Sequence, residues 1–131
     1  MEDLLSSLFE NKITWSFGKP KVVRVTDETP RRVSAIDIIK VITNAQWSDA
    51  LKTLNRMKCA DPGFFQVCGD YKFGRDKEPT SAIGMEDLLQ FIQITAEHRS
   101  GTVRVDCAST VTAMDKHLAI ARYFHALTGH D

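Results

Sequence analysis

The sequence predicts a single α+β domain, and three observations predict it. The chain has 131 residues, a length that suits one domain and can bury a core without metal or disulfide staples. Its early part alternates β-branched or aromatic residues with polar ones between turn signals, which is strand patterning. Several later stretches repeat apolar residues every three or four positions, which is the patterning of amphipathic helices. The whole span 1–131 reads as one domain, with an N-terminal helix over 1–12 and a core over 13–131.

Taken in order, Glu2 to Asn11 puts Leu4, Leu5, Leu8 and Phe9 at helical spacing. Ile13 to Phe17 alternates as a strand, Gly18-Lys19-Pro20 has turn chemistry, and Lys21 to Thr26 is a β-branched run. Together they predict a β-hairpin. Asp27-Glu28-Thr29-Pro30 breaks the strand, and Arg31 and Arg32 lead into a third short strand or directly into a helix. Ser34 is placed to cap that helix, with Asp37 acting on the free amides of its first turn. Ala35, Ile38, Ile39 and Ile42 form the buried stripe of a helix ending near Thr43. After a short break at Asn44-Ala45-Gln46 a second helix carries Trp47, Ala50, Leu51, Leu54 and Met57 on an inward face. Two helices joined this closely have helix-turn-helix-like proportions.

Asp61-Pro62-Gly63 predicts a stop to the second helix. Phe64 to Val67 and Asp70 to Phe73 read as strands, Gly74 to Pro79 as a charged loop and Thr80 to Ile83 as a short strand. A helix from about Met85 to Thr95 places Met85, Leu88, Leu89 and Ile92 inward. After a polar break at His98 to Gly101, a long C-terminal helix runs from about Thr102 to Leu127. Its seam of Cys107, Val111, Met114, Leu118, Ala121 and His125 is heptad-like. That seam is long for packing on one small sheet, so its C-terminal part is expected to be exposed or to form a homodimer.

The composition narrows the classes of function. Formal net charge is zero, so no global field draws the chain to nucleic acid or to an anionic membrane. The cations do concentrate in the first half, where any anionic partner would meet them. Three cysteines without paired spacing argue against a disulfide scaffold. The acidic, polar start is unlike a signal peptide, and no apolar run approaches a membrane span. An intracellular protein is expected, nuclear or cytoplasmic, with no membrane partner.

No complete catalytic constellation stands out. Walker-type glycine loops, dinucleotide fingerprints and Gly-x-Ser-x-Gly elbows are missing from the sequence. Carboxylates are scattered, and nothing pairs two of them for acid–base work. His117, His125 and His130 fall on or near one helix, whereas zinc needs ligands from a second element. No enzyme activity, metal or other cofactor is therefore expected. Phe64, Phe65, Tyr71 and Phe73, interleaved with Lys72 and Arg75, could stack unpaired bases, but such an array is more often sheet core and edge.

The αα unit with its basic hairpin is the best functional candidate. Lys52, Asn55 and Arg56 lie opposite the apolar face of the second helix, where Arg and Asn can make bidentate contacts to guanine and adenine. Lys19, Lys21, Arg24, Arg31, Arg32 and Lys58 flank them as phosphate grips. The bland alternative is that these are ordinary solvated charges.

Several strings resemble one known family. Val33-Ser34-Ala35-Ile36-Asp37-Ile38 fits a V-x-x-x-D-[IV] helix start that follows a strand pair. Asp49-Ala50-Leu51-Lys52-Thr53-Leu54 fits the Ala- and Leu-containing helix after it. Tyr71-Lys72-Phe73-Gly74, Pro79-Thr80 and Gly84-Met85-Glu86-Asp87-Leu88-Leu89 fit a middle strand, loop and helix. Ala121-Arg122-Tyr123-Phe124 followed by Gly129-His130-Asp131 is similar to one branch's end. In this order the strings resemble the BRO-type N-terminal domain, named for the baculovirus repeated open reading frames, over most of the chain from Ile13 onward. The resemblance implies DNA binding in a viral or phage-like setting. The expected function is thus a non-catalytic, regulatory DNA-binding domain acting in transcription or replication. The alternative is a protein-interaction or dimerisation module.

Overall fold

The computed structural model describes residues 13–16, 19–28, 30–74 and 78–98. The anticipated helices over 1–12 and Thr102–Leu127, with the homodimer seam on the latter, lie outside these described residues.

Strand β1 (Ile13–Ser16) pairs antiparallel with β2 (Lys19–Val22), in a register that sets Ile13 opposite Val22 and Ser16 opposite Lys19. The hairpin therefore turns earlier than its turn residues suggested. Lys19 and Pro20 belong to the second strand, and a proline is tolerated because each strand of a two-stranded sheet is an edge. The ladder also stops at Val22, short of the expected Thr26. Val23 and Val25 are instead buried in the core, and Val25 forms an isolated bridge to Val33. The amides of Ser34 and Thr26 donate to the carbonyls of Arg24 and Arg32, both at 2.9 Å. The chain thus folds back beside the next strand.

That strand is β3 (Arg32–Ser34), and it runs straight into helix α1 (Ala35–Thr43). Ser34 caps the helix as expected, whereas the Asp37 carboxylate, expected to act on the free amides of the first turn, accepts from Arg24 instead. Ser34 Oγ accepts from the Asp37 amide at 3.3 Å, which satisfies one orphan donor of the first turn. Asn44 closes the helix at φ 57°, the left-handed region that Asn tolerates better than most residues. Helix α2 (Trp47–Ala60) follows after residues 44–46 and packs on α1.

The next segment departs from expectation. Pro62–Cys68 is a helix, α3, with Pro62 in its first turn. Pro is pre-organised for that position, so the same residue that stops α2 starts α3. The β-prone run Phe64-Phe65 is held helical by packing. Both rings lie against Phe91, at centroid separations of 6.5 and 6.0 Å. Gly69 then turns the chain at φ 78°. Short β4 (Asp70–Tyr71) pairs with β5 (Thr80–Gly84), and helix α4 (Met85–His98) completes the described fold.

The second sheet is three-stranded and antiparallel, in the order β3-β5-β4. Helices pack on it, so the fold is α+β. The core joins Val33 and Ile83 of the sheet to Ile36, Ile39 and Ile42 of α1, Leu54 and Met57 of α2, and Leu88, Phe91 and Ile92 of α4. Leu88 and Leu89 are buried as their spacing predicts, and Met85 is only partly so. Phe91 and Ile94 join them, because α4 is covered on more than one side.

Candidate nucleic-acid interface

Helix α2 rotates about 100° per residue, and the buried positions Ala50, Leu54 and Met57 fix its inward direction. Lys52 lies about 200° from both Ala50 and Leu54, so it points directly away from the core, and it is exposed. Arg56 is exposed on one flank, about 100° from Met57, where its Nη2 donates to Thr53 Oγ1 at 3.2 Å. Asn55 is exposed on the opposite flank, about 100° from Leu54. Lys58 is half-buried on that flank. The inward face is narrower than its apolar pattern suggests. Leu54 is buried, Leu51 is half-buried and Trp47 is 39% exposed.

One contact from the hairpin reaches the turn between the two helices. Lys21 Nζ donates to Asn44 Oδ1 at the α1–α2 turn. Lys19 starts β2 at the other end of that strand. Arg31 is exposed just before β3.

Arg24 and Arg32, expected as phosphate grips, hold the fold together. Arg24 meets the buried Asp37 through its backbone amide and its Nε, both 2.9 Å from Oδ2, and its Nη2 lies 3.4 Å from Oδ1. Its guanidinium carbon also sits 5.4 Å from the Trp47 ring centroid and 5.3 Å from that of Phe73. One side chain therefore ties the end of the hairpin to α1, to the start of α2 and to the loop after β4. A planar guanidinium suits this work, because it can donate in its plane and meet rings above and below it. Arg32 donates from Nη1 to the Cys68 carbonyl at 2.8 Å and pairs with Glu28. Nothing in the charge pattern foretold these partners. The Arg24–Asp37 contact spans 13 residues and the Arg32–Cys68 contact 36.

Between α2 and the start of β5 lies a cleft of about 550 Å³, which sequence reasoning missed. Trp47, Leu51 and Leu54 line one wall, with Asn55 and Lys58 beside them. Glu78, Pro79, Thr80 and Ser81 line the other. Thr80 Oγ1 and Ser81 Oγ are buried and have no hydrogen-bond partner among the described residues. Such groups are few in a folded protein, and leaving one unpaired costs about 1–3 kcal/mol. The cleft is apolar on the side formed by Trp47, Leu51 and Leu54. No sequence signal marks it, because its two walls come from segments that are separated in the chain and become neighbours only in the fold.

Cys68, at the end of α3, is chemically quiet. Burial, together with the nearby Asp87 carboxylate that accepts from its thiol, raises its pKa from the ordinary 9.0 to about 12. Arg32 opposes the shift more weakly. Cys59 on α2 is exposed. The aromatic array splits between helix and strand. Phe65 and Phe73 are buried and Phe64 is partly so, in keeping with a packing role. Among the described residues, no group of three His, Cys, Asp or Glu side chains is placed to hold a metal ion. None of the described helices is long and apolar enough to cross a membrane.

Geometry and sequence together define the class only as far as a small α+β chain with a presented helix and an adjoining cleft. Comparison with family models, curated proteins and solved structures found no match.

Proposed function

We propose that this chain binds double-stranded DNA through the outward face of α2 and the hairpin beside it, as a regulatory module without catalysis. The observation that carries the reading is the Lys21–Asn44 contact. It anchors the basic hairpin at the turn from which α2 departs, so hairpin cations and the exposed residues Lys52 and Arg56 belong to one assembly. A helix that enters a groove needs such an outward polar set with cations beside it to meet phosphates. In this reading Lys52 and Arg56 face the duplex, Asn55 reads from its edge, and Lys21 and Arg31 approach the backbone. Arg24 and Arg32 support the surface from within, and Lys58 lies toward the cleft.

The test is a salt-titrated binding assay on random and mixed-sequence duplexes. Affinity should fall steeply with salt, and Lys52→Ala with Arg56→Ala should weaken it. Each lost phosphate contact should reduce the salt slope by about one. Asn55→Ala should relax sequence preference at roughly 1–3 kcal/mol where its contact is bidentate. Absence of binding at low salt, or equal binding by the double variant, would reject this face. A protein partner would then be the better reading.

A further inference from the structure

We propose that residues 1–12 dock as an amphipathic helix in the cleft between α2 and the start of β5, antiparallel to α2, and so cover its Asn55 flank. These residues lie outside the described ones; the cleft, the point where the chain enters β1 and the segment's own sequence point to the contact. On the α2 side the cleft offers apolar surface that the described residues leave uncovered. Leu51 is half-buried there and Trp47 is 39% exposed. A helix laid in such a groove needs a stripe of apolar side chains at helical spacing. Leu4, Leu5, Leu8 and Phe9 supply one.

The chain itself brings the segment to the cleft. Ile13, the first residue of β1, pairs with Val22. Two residues after Val22, Arg24 sets its guanidinium carbon 5.4 Å from the Trp47 ring centroid, and Lys21 meets Asn44 just before α2. Residue 12 therefore joins the hairpin beside the start of α2. From Trp47 to Lys58 the helix α2 extends about 16 Å, and residues 2–11 span about 14 Å as a helix. The segment can thus run the length of that wall, with Phe9 toward Trp47 and with Glu2 and Asp3 toward Lys58 at the far end. The charges agree. Residues 1–12 carry the acids Glu2, Asp3 and Glu10 against the single cation Lys12. The α2 wall ends in Lys58, and Lys52 is exposed beyond Asn55.

The chain that leaves α4 starts on the wrong side. Thr95 Oγ1 of α4 lies 3.9 Å from Met57 Sδ. Met57 is about 120° around α2 from Leu51, so residues after His98 begin away from the cleft. The docking does not depend on the DNA-binding reading, but one consequence rests on it. A docked segment lies against Asn55 and sets acids beside Lys58 and Lys52, so it competes with a duplex for that flank.

The experiment treats the full chain with a water-soluble carbodiimide, which condenses a carboxylate with a lysine amine where the two are in contact, and maps the links by mass spectrometry. Links within one chain from Glu2 or Asp3 to Lys58 are expected. Links from residues 1–12 to hairpin lysines only, or none at all, would overturn the docking. An equal mixture of isotope-labelled and unlabelled chains reveals links between copies, and Lys58 links of that kind would give the cleft to a second copy and overturn it too. Leu4→Ser with Leu8→Ser should abolish the Lys58 links and, in a Trp15→Phe background, increase quenching of Trp47 by acrylamide. Links that survive this variant would show a contact of charges alone, outside the apolar cleft, and the inference would fall. The same variant should bind duplex DNA severalfold more tightly than the unmutated chain. Docking without that gain would overturn the DNA reading of this flank and leave the docking standing.

Discussion

Helices α1 and α2 are neighbours in sequence and in space, yet they meet solvent very differently. In α1, seven of nine residues are buried, including the charged Asp37. In α2, three of fourteen are buried. The first helix is covered by the sheet, by α2 and by the chain that leaves the hairpin, so even its carboxylate must find a partner inside. The second offers one narrow stripe to the core and presents the rest. A charge means something different on each. On α1 it fixes the fold, and on α2 it remains available to a partner. Counting cations along the sequence cannot make that distinction, because it depends on what the third dimension brings alongside.

The largest expected effect lies on the buried side. Asp37→Ala removes the acceptor of three hydrogen bonds from Arg24, whose side chain is 28% exposed. Breaking a buried pair in this way costs roughly 3–5 kcal/mol. Urea unfolding measures it directly. A cost no larger than that of Lys52→Ala would erase the contrast between the two helices.

The cysteines extend the same contrast to reactivity. Cys59 is exposed on α2, while Cys68 is buried beside Asp87. With its pKa raised from 9.0 to about 12, Cys68 carries a thiolate fraction near pH 8 on the order of a thousandfold below that of an ordinary thiol. Iodoacetamide at that pH, followed by peptide mass mapping, should label Cys59 long before Cys68. The folded thiol keeps its proton to a higher pH than the unfolded one. Its stabilising contribution is therefore intact below about pH 9 and is lost as pH rises from about 9 to 12. A Cys68→Ala variant should lose less stability across that window than the unmutated chain.

A smaller effect sharpens the junction between the helices. Asn44 holds φ at 57° and accepts from Lys21. Asn44→Ala loses the contact and the short polar side chain that eases the left-handed region, at up to about 1–2 kcal/mol. Asn44→Gly relieves the backbone but still loses the contact. It should leave the melting temperature close to its starting value while hydrogen exchange of the β2 amides accelerates. Equal protection of β2 in both backgrounds would show that the hairpin does not depend on this anchor.

Local chemistry made α1 legible in the sequence almost to the residue. Ser34 caps it, Asp37 sits in its first turn and Asn44 closes it, all within a few positions of one another. Helix α3 was not legible. Phe64 to Val67 is β-prone, and Asp61-Pro62-Gly63 reads as a stop, but Phe91 lies far along the chain and holds the two rings in place. Packing overrode propensity there. The candidate site divides in the same way. The outward direction of Lys52, with Asn55 and Arg56 on its two flanks, follows from helical periodicity alone. The withdrawal of Arg24 into a contact with Asp37, and the cleft facing Trp47, depend on which elements become neighbours.

The smallest expected change in stability carries the most functional weight. Lys52 and Arg56 are exposed, and Arg56 donates to Thr53, one turn back on the same helix. Substitutions at such positions usually stay within about 0.5 kcal/mol each. Alanine is also the best helix former, so replacing both side chains does not weaken α2 through propensity. The double variant should therefore unfold in urea within about 1 kcal/mol of the unmutated chain, with the same slope. Its salt-dependent DNA affinity should nevertheless fall. Loss of both properties together would assign these residues to the scaffold, alongside Asp37. Loss of binding at constant stability would set the presented helix apart from the buried one by function as well as by exposure.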